Sequence, residues 1–222
     1  MKTTHELLPA EQVILDELLS RRPDLTSCTE ALIQLHDILA RAYDAGRKLL
    51  LCGNGGSNAD AMHIAGELCK SFERKRPLPA EMATRLAVLP HGKELAQYLE
   101  EGLPAIALGF NGSLKTAIEN DSPLRDIAFA QELYALAKPG DVLIAFSTSG
   151  NANNCIMAMS TAKAIGVYTI AMTGPSGGKM ADLADLSLRA PGASTKVIQE
   201  AHIALYHAFC AMIEVHYFPD KR

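Results

Sequence analysis

His63 and Glu67 stand four residues apart in LLLCGNGGSNADAMHIAGE, residues 49–67. On a helix turning about 100° per residue the two side chains share one face within a single turn. An imidazole beside a carboxylate can hold a divalent metal or move a proton, although the same spacing is also common on solvated helix faces. The residues before the pair add to its meaning. Leu49, Leu50, Leu51 and Cys52 form the short continuous apolar run of a buried parallel strand, and Gly53, Asn54, Gly55 and Gly56 stop it. Ser57 then offers an N-cap, with Asp60 three residues on in capping-box position. A glycine-rich strand-to-helix turn leaves unpaired N–H groups at the positive end of a helix, where phosphates bind. The turn matches neither G-x-G-x-x-G nor a Walker pattern ending in Gly-Lys-Ser/Thr, so it reads as an anion seat and nothing narrower.

A second seat follows the same plan. DVLIAF (141–146) is a buried strand, and STSGN (147–151) places the hydroxyls of Ser147, Thr148 and Ser149 at the start of the next helix. Ser and Thr are usual N-caps, but two such turns in one chain favour a ligand, and a neutral hydroxyl cradle suits a phosphate monoester on a small molecule. The third set lies on the last predicted helix, residues 195–217. Apolar residues surround its axis from 201 to 215, the pattern of a buried helix, so Gln199, His202 and His207 need partners. Gln199 and His207 are roughly 12 Å apart along the axis and about 80° around it, whereas Gln199 and His202 are closer, and spacing alone does not choose between the histidines.

The elements that must position these residues alternate. Amphipathic helices are expected at about 9–20 and 29–46, the second opened by a Ser27/Glu30 capping box, before any strand appears. They have no strand partner and are expected to cover the sheet or to pack against another subunit. The 57–72 helix leads into a Pro-rich, charged stretch, 73–104, with one short helix in GKELAQYLEEG. A strand at 105–108 and helices near 113–119 and 123–137 follow. After the second seat come a helix ending at Gly166, a strand at 167–172, the loop TGPSGGK and an edge strand at 185–189. Strand, helix, strand in succession implies right-handed crossovers and a parallel, doubly wound α/β sheet. Ligands in such sheets sit beyond the carboxyl ends of the strands, where both seats fall.

Composition excludes several functions. With 48% apolar and 21% charged residues and a net charge of −4, the 222-residue chain has an ordinary globular profile and no basic footprint for nucleic acid. MKTTHELLPAEQ lacks the apolar core of a signal peptide, and no apolar run is long enough to span a membrane. Five widely spaced cysteines without a CxxC pair suit reduced thiols. A cytoplasmic protein is expected.

GNGGSxADAMHxAxEL at 53–68, the Asn120-Asp121 pair, STSGN at 147–151, MTGPSGGKMA at 172–181 and IQEAHxxxxH at 198–207 together resemble the phosphoheptose isomerases, enzymes of the sugar isomerase (SIS) fold. The likeness covers nearly the whole chain in order. It implies a single SIS domain over 1–222, with a five-stranded parallel sheet, packing helices in 1–47 and an extended segment at 73–118. It also implies a homotetramer with active sites between subunits, and conversion of D-sedoheptulose 7-phosphate to D-glycero-D-manno-heptose 7-phosphate for nucleotide-heptose and surface-glycan synthesis. The resemblance implies one zinc ion per subunit on His63, Glu67, Gln199 and His207, and so selects His207 over His202. Substrate contacts carried over are Asn54, Gly55, Gly56, Asn120, Asp121, Ser147, Thr148 and Ser149, with Glu67 and Gln199 beside them. The chain departs from the family at Ala152, where a Ser is usual, and in the length of 73–118, and both bear on specificity.

Ketose–aldose isomerisation moves a proton between C1 and C2 through an enediol, so one group must service carbon and another oxygen. Glu67 is the candidate for the carbon proton and His207 for the oxygens. Two rival classes share the turns. One is a non-catalytic SIS adaptor binding the bacterial replication initiator protein, whose members resemble this chain but lack the helix Glu and last His. The other is a sugar-phosphate-sensing SIS domain, which needs the hydroxyl cradle but no metal.

Overall fold

The computed structural model describes residues 7–219. Five strands, β1 (Leu49–Cys52), β2 (Ala105–Ala107), β3 (Val142–Ser147), β4 (Tyr168–Thr173) and β5 (Leu186–Arg189), form one sheet in the order β2-β1-β3-β4-β5, parallel throughout. β1 shows why these segments become strands. Leu49 and Leu51 enter the hydrophobic cluster on one face, Leu50 and Cys52 enter that on the other, and all four are fully buried. A strand with two buried faces reads as a continuous apolar run, while its side chains still alternate.

On the first face lie α1 (Pro9–Arg21), α2 (Thr29–Asp44), α3 (Gly56–Cys69) and α10 (Thr195–Tyr217). The N-terminal helices pack within the chain itself: Leu15 and Leu18 of α1 and Leu32, Leu35 and Leu39 of α2 join the core made by α10 and the sheet. On the second face are α7 (Ala128–Leu136), α8 (Asn153–Ile165) and α9 (Gly178–Leu183). α10 is buried at every position from Ala208 to Val215, as its all-round apolar pattern requires. Among the described residues no helix is long and apolar enough to cross a membrane.

Several local expectations are corrected. Ser57 and Asp60 do not form a capping box: α3 begins at Gly56 with Gly55 as N-cap, and both polar residues are buried in its first turns. Nor do Ser27 and Glu30, because a 3-10 turn over Pro23–Cys28 carries the chain into α2 and Cys28 occupies the N-cap. The 73–104 stretch holds two short helices where the sequence predicts one, α4 (Ala80–Ala87) and α5 (Gly92–Tyr98), packed on each other. Pro79 opens α4, and the surrounding prolines hide an eight-residue helix from any periodicity reading. α6 (Gly112–Asp121) and a 3-10 turn at Arg125–Ile127 lead into α7.

One buried ion pair ties the chain after α3 to α10. Arg76 and Glu214 are both fully buried, and Arg76 Nε donates to Glu214 Oε1 at 2.8 Å. The guanidinium also donates to the carbonyls of Leu68 (2.7 Å) and Glu67 (3.2 Å). The carboxylate accepts the backbone N–H groups of Phe72, Glu73 and Arg74 at 2.8 to 3.0 Å. A buried charge pair is tolerable only when its remaining donors and acceptors are filled, and here a whole turn of backbone fills them. Glu214→Ala is expected to destabilise the fold by about 3 to 5 kcal/mol, because it strands the Arg76 charge and three amides. Chemical denaturation checks this; a loss below about 1 kcal/mol would show that the pair is not holding the segment.

Candidate active site

The sheet order places the chain reversal between β1 and β3: from β1 the chain winds outward to β2, and from β3 outward to β4 and β5. The crevice at such a reversal is where doubly wound sheets bind ligands, and both predicted seats flank it. Gly55, at φ +54° and ψ −120°, takes a backbone shape closed to residues with a side chain and swings the chain into α3. Asn54 and Asn154 exchange side-chain hydrogen bonds of 2.9 and 2.8 Å, joining the first seat to α8. In the second seat Ser147 Oγ lies 3.4 Å from Ser149 Oγ, and Ser149 Oγ accepts the Asn151 N–H at 3.2 Å. Ala152 is the N-cap of α8 and gives it no side-chain cap, so the missing Ser hydroxyl leaves the first amides of α8 without that partner.

Beside the first seat a pocket of about 320 Å³ is bounded by Asn54, Gly55, Asn58 and Asn154, by two cations, Lys115 and Arg125, and by two carboxylates, Glu119 and Asp126, with Lys115 Nζ 3.8 Å from Glu119. The sequence reading did not single out these cations; their only signal was a position near the Asn120-Asp121 pair. That pair is not drawn into the turns. Asn120 donates to Asp121 at 2.7 Å, exposed at the end of α6 and just past Glu119 on the pocket rim.

α10 supplies the other wall. A side chain at position 56 would meet Gln199, with a Cβ there 2.7 Å from Gln199 Nε2, so glycine is what lets Gln199 lie against the start of α3. Two turns further along, the His207 ring stands 5.0 Å from the His63 ring. His202 is elsewhere: fully buried, with Nε2 3.1 Å from the Thr173 carbonyl and its ring against Phe146. Burial pushes the His202 pKa below its usual value, which suits a core imidazole. The His207 pKa is also lowered, chiefly by burial and then by the nearby His63 charge, with Glu67 pulling the other way.

Sequence reasoning also missed the support behind His63. The Tyr206 hydroxyl donates to Asp60 Oδ1 at 3.4 Å and lies 2.9 Å from His63 Nδ1. Burial pushes the Tyr206 phenol above its usual range, with Asp60 adding to the shift. Burial also raises the Asp60 carboxyl, against the hydrogen bond from Tyr206. With the hydroxyl donating to Asp60, His63 Nδ1–H donates to it and Nε2 carries a lone pair; with the hydroxyl donating to Nδ1, the ring proton sits on Nε2 instead. Nε2 faces Glu67 Oε1 at 3.1 Å, a contact closed by Nε2–H in the second tautomer and by a cation in the first. His207 Nε2 is buried with no hydrogen-bond partner among the described residues. Glu67 Oε2 lies 3.3 Å from Lys70 Nζ. With His63 in the first tautomer, an imidazole lone pair, a carboxylate, an unpartnered buried imidazole nitrogen and an amide along one seam make a donor set that fits a divalent metal. Among the described residues, the group of three such donors lying within 4.8 Å of one another is elsewhere, at Glu11, His36 and His216.

The SIS domain family model matches residues 20–102 and 95–174, more than half of the chain. The phosphoheptose isomerase of Crocosphaera subtropica is 41% identical over 181 residues, 82% of this chain and 80% of that protein. The chain belongs to the phosphoheptose isomerase family of SIS-domain proteins. A probable phosphoheptose isomerase of Thermoplasma acidophilum is 40% identical over 83% of this chain and 88% of its own length. Among solved structures, phosphoheptose isomerase GmhA of Neisseria gonorrhoeae superposes with a TM-score of 0.68 at 33% identity, covering 91% of this chain and 96% of that one.

In this family member the Ser149 hydroxyl bonds, among the described residues, the Asn151 N–H and the Ser147 hydroxyl of its own turn. Ser149→Ala is expected to weaken phosphate-monoester binding by about 1 to 3 kcal/mol, the range of a charge-assisted bond, with the melting temperature little changed. Isothermal titration with inorganic phosphate and a sugar phosphate checks this; unchanged affinity for both would reduce the hydroxyl to a turn former.

Proposed function

We propose that this chain is an aldose–ketose isomerase acting on D-sedoheptulose 7-phosphate, with D-glycero-D-manno-heptose 7-phosphate as product, in nucleotide-heptose synthesis. The observation that carries the reading is the seam of His63, Glu67 and His207 beside two phosphate-type turns, in a chain 41% identical to a phosphoheptose isomerase. In this reading the phosphate rests on the α8 start and the Ser147–Ser149 hydroxyls, with Lys115 and Arg125 drawing the anion toward the crevice. Asn54 and Gln199 face the sugar hydroxyls.

Glu67 removes the C1 proton of the ketose and returns it to C2, while His207, kept neutral by burial, carries the proton between O1 and O2. The two oxygens of Glu67 face different partners, His63 and Lys70, so one can ligate while the other takes the proton. That separation eases the conflict between a carboxylate's roles as ligand and as base. His63, Glu67, Gln199 and His207 would hold a zinc ion. Bound there, zinc supplies Lewis-acid polarisation of the carbonyl. With its hydroxyl donating to Asp60, Tyr206 holds His63 in the ligating tautomer.

The protein is further proposed to be a cytoplasmic homotetramer with sites completed between subunits. The exposed apolar residues of 73–118, Val88, Leu89, Leu95, Tyr98 and Leu99, support this. Light scattering giving a monomer at micromolar concentration would remove the shared site.

Glu67→Gln keeps shape and a possible oxygen ligand but takes no proton at neutral pH. Turnover of sedoheptulose 7-phosphate is expected to fall at least about 10²-fold to 10⁴-fold, and His207→Asn likewise, with fold and assembly intact. His202→Asn is the control: it should cost stability more than chemical rate. Near-native isomerisation by Glu67→Gln would defeat the mechanism. No turnover of any ketose phosphate by the native zinc-loaded protein would favour the adaptor or sensor readings.

A further inference from the structure

At the far side of the helical layer from the crevice, α1, α2 and α10 meet around a second group of metal-ligating side chains, for which neither the seam chemistry nor the phosphate seats has a use. Glu11 comes from α1, His36 from α2 and His216 from the last turn of α10. Glu11 Oε1 lies 2.8 Å from His216 Nδ1 and 3.3 Å from His36 Nε2, and the three donor atoms lie within 4.8 Å of one another. The imidazole rings meet edge to face with centroids 5.4 Å apart. Glu11 and His36 are completely buried, while 22% of the His216 side chain reaches the surface.

We propose that Glu11, His36 and His216 form a second divalent-cation site, distinct from the seam and suited to zinc or a neighbouring late first-row metal. Three observations carry the inference together. A carboxylate with no exposed surface costs several kcal/mol unless its charge is compensated, and the groups facing Glu11 among the described residues are two imidazoles and the Leu8 N–H, which donates to Oε2 at 2.7 Å. Two imidazoles and one carboxylate are a common zinc donor set. Donor atoms around a tetrahedral zinc at about 2.0–2.2 Å stand about 3.3 Å apart, so the Glu11–His36 separation already fits, the Glu11–His216 edge has to widen by about 0.5 Å, and the His36–His216 edge, at most 4.8 Å, has to settle near the same value. The Leu8 hydrogen bond fixes Oε2 while Oε1 faces both imidazoles, so the carboxylate is oriented before any metal arrives. His216 provides the path of entry.

Such an ion would fasten the start of α1 to the end of α10, residues 205 positions apart. A ligand that binds only the folded chain stabilises it by mass action, so the cation acts as a structural clasp. The inference does not depend on the seam holding metal, and the two are separable by counting.

The chelator-stripped full-length protein is loaded with Zn²⁺ in the presence of a weak competing chelator, desalted and assayed for zinc per chain, with thermal melting in parallel. A His63→Asn/His207→Asn variant that disables the seam should still retain one zinc per chain, and zinc should raise its melting temperature. Adding His216→Asn to it should remove that equivalent and abolish the shift. Glu11→Gln, which keeps the side-chain size and the acceptor for Leu8, should do the same if the His216 variant folds poorly. Co²⁺ in place of zinc should give the visible absorption of a low-coordinate His-ligated ion in the seam variant. Zinc absent from the seam variant, or retained equally after His216→Asn and after Glu11→Gln, would overturn the proposal and leave the cluster as a buried carboxylate–imidazole hydrogen-bond group.

Discussion

The site depends on how closely α10 can approach the start of α3. Two helices meet there beyond the strand ends, and the contact is closed by Gln199 lying over a residue with no side chain, Gly56. A Cβ at that position would stand 2.7 Å from Gln199 Nε2 and turn that flexible side chain away from the start of α3. Two turns along the same contact, the His207 and His63 rings stand 5.0 Å apart. The anion seats need less: a turn after β1 and a turn after β3, on neighbouring strands, bring phosphate-type cradles together by sheet order alone.

α10 is therefore a spine on which separate tasks are threaded. Over its 23 residues it presents Gln199 and His207 to the seam, His202 to the end of β4, Glu214 to the segment after α3, and His216 to α1. A largely buried helix makes each polar group demand a partner, and His202, Glu214 and His216 find theirs in different parts of the chain, while His207 Nε2 stays unpartnered among the described residues. The Glu214–Arg76 pair serves the seam indirectly: Arg76 donates to the last carbonyls of α3, including that of Glu67, so the turn carrying Glu67 is held in place.

What the sequence made legible follows from how local each cause is. Strands buried on both faces announce themselves as apolar runs, and β1, β3 and β4 were readable for that reason. The His63/Glu67 pair and the two glycine- or hydroxyl-rich turns are also local, one helical turn or one loop each. The choice between His202 and His207 was not local, since spacing on α10 admits both and only the sheet beneath His202 separates them. Asp60 was misread as a cap because capping and second-sphere support use the same residue types. Lys115 and Arg125 look like any solvated cations until α6 and the 3-10 turn after it are placed beside the crevice, and Glu11, His36 and His216 share no spacing at all. The short α4 and α5 lay hidden among prolines, where a helix of two turns has too little pattern to register.

The most direct test of proton transfer at the α3–α10 seam is turnover of sedoheptulose 7-phosphate in D2O, followed by NMR of the product. Glu67 keeps 15% of its side chain exposed, beside a His63 exposed along 45%, so a proton held on the Glu67 carboxylate exchanges with solvent. Deuterium at C2 of the heptose 7-phosphate is the expected result. Product formed with C2 fully protiated would contradict an enediol route and require the hydrogen to pass directly from C1 to C2.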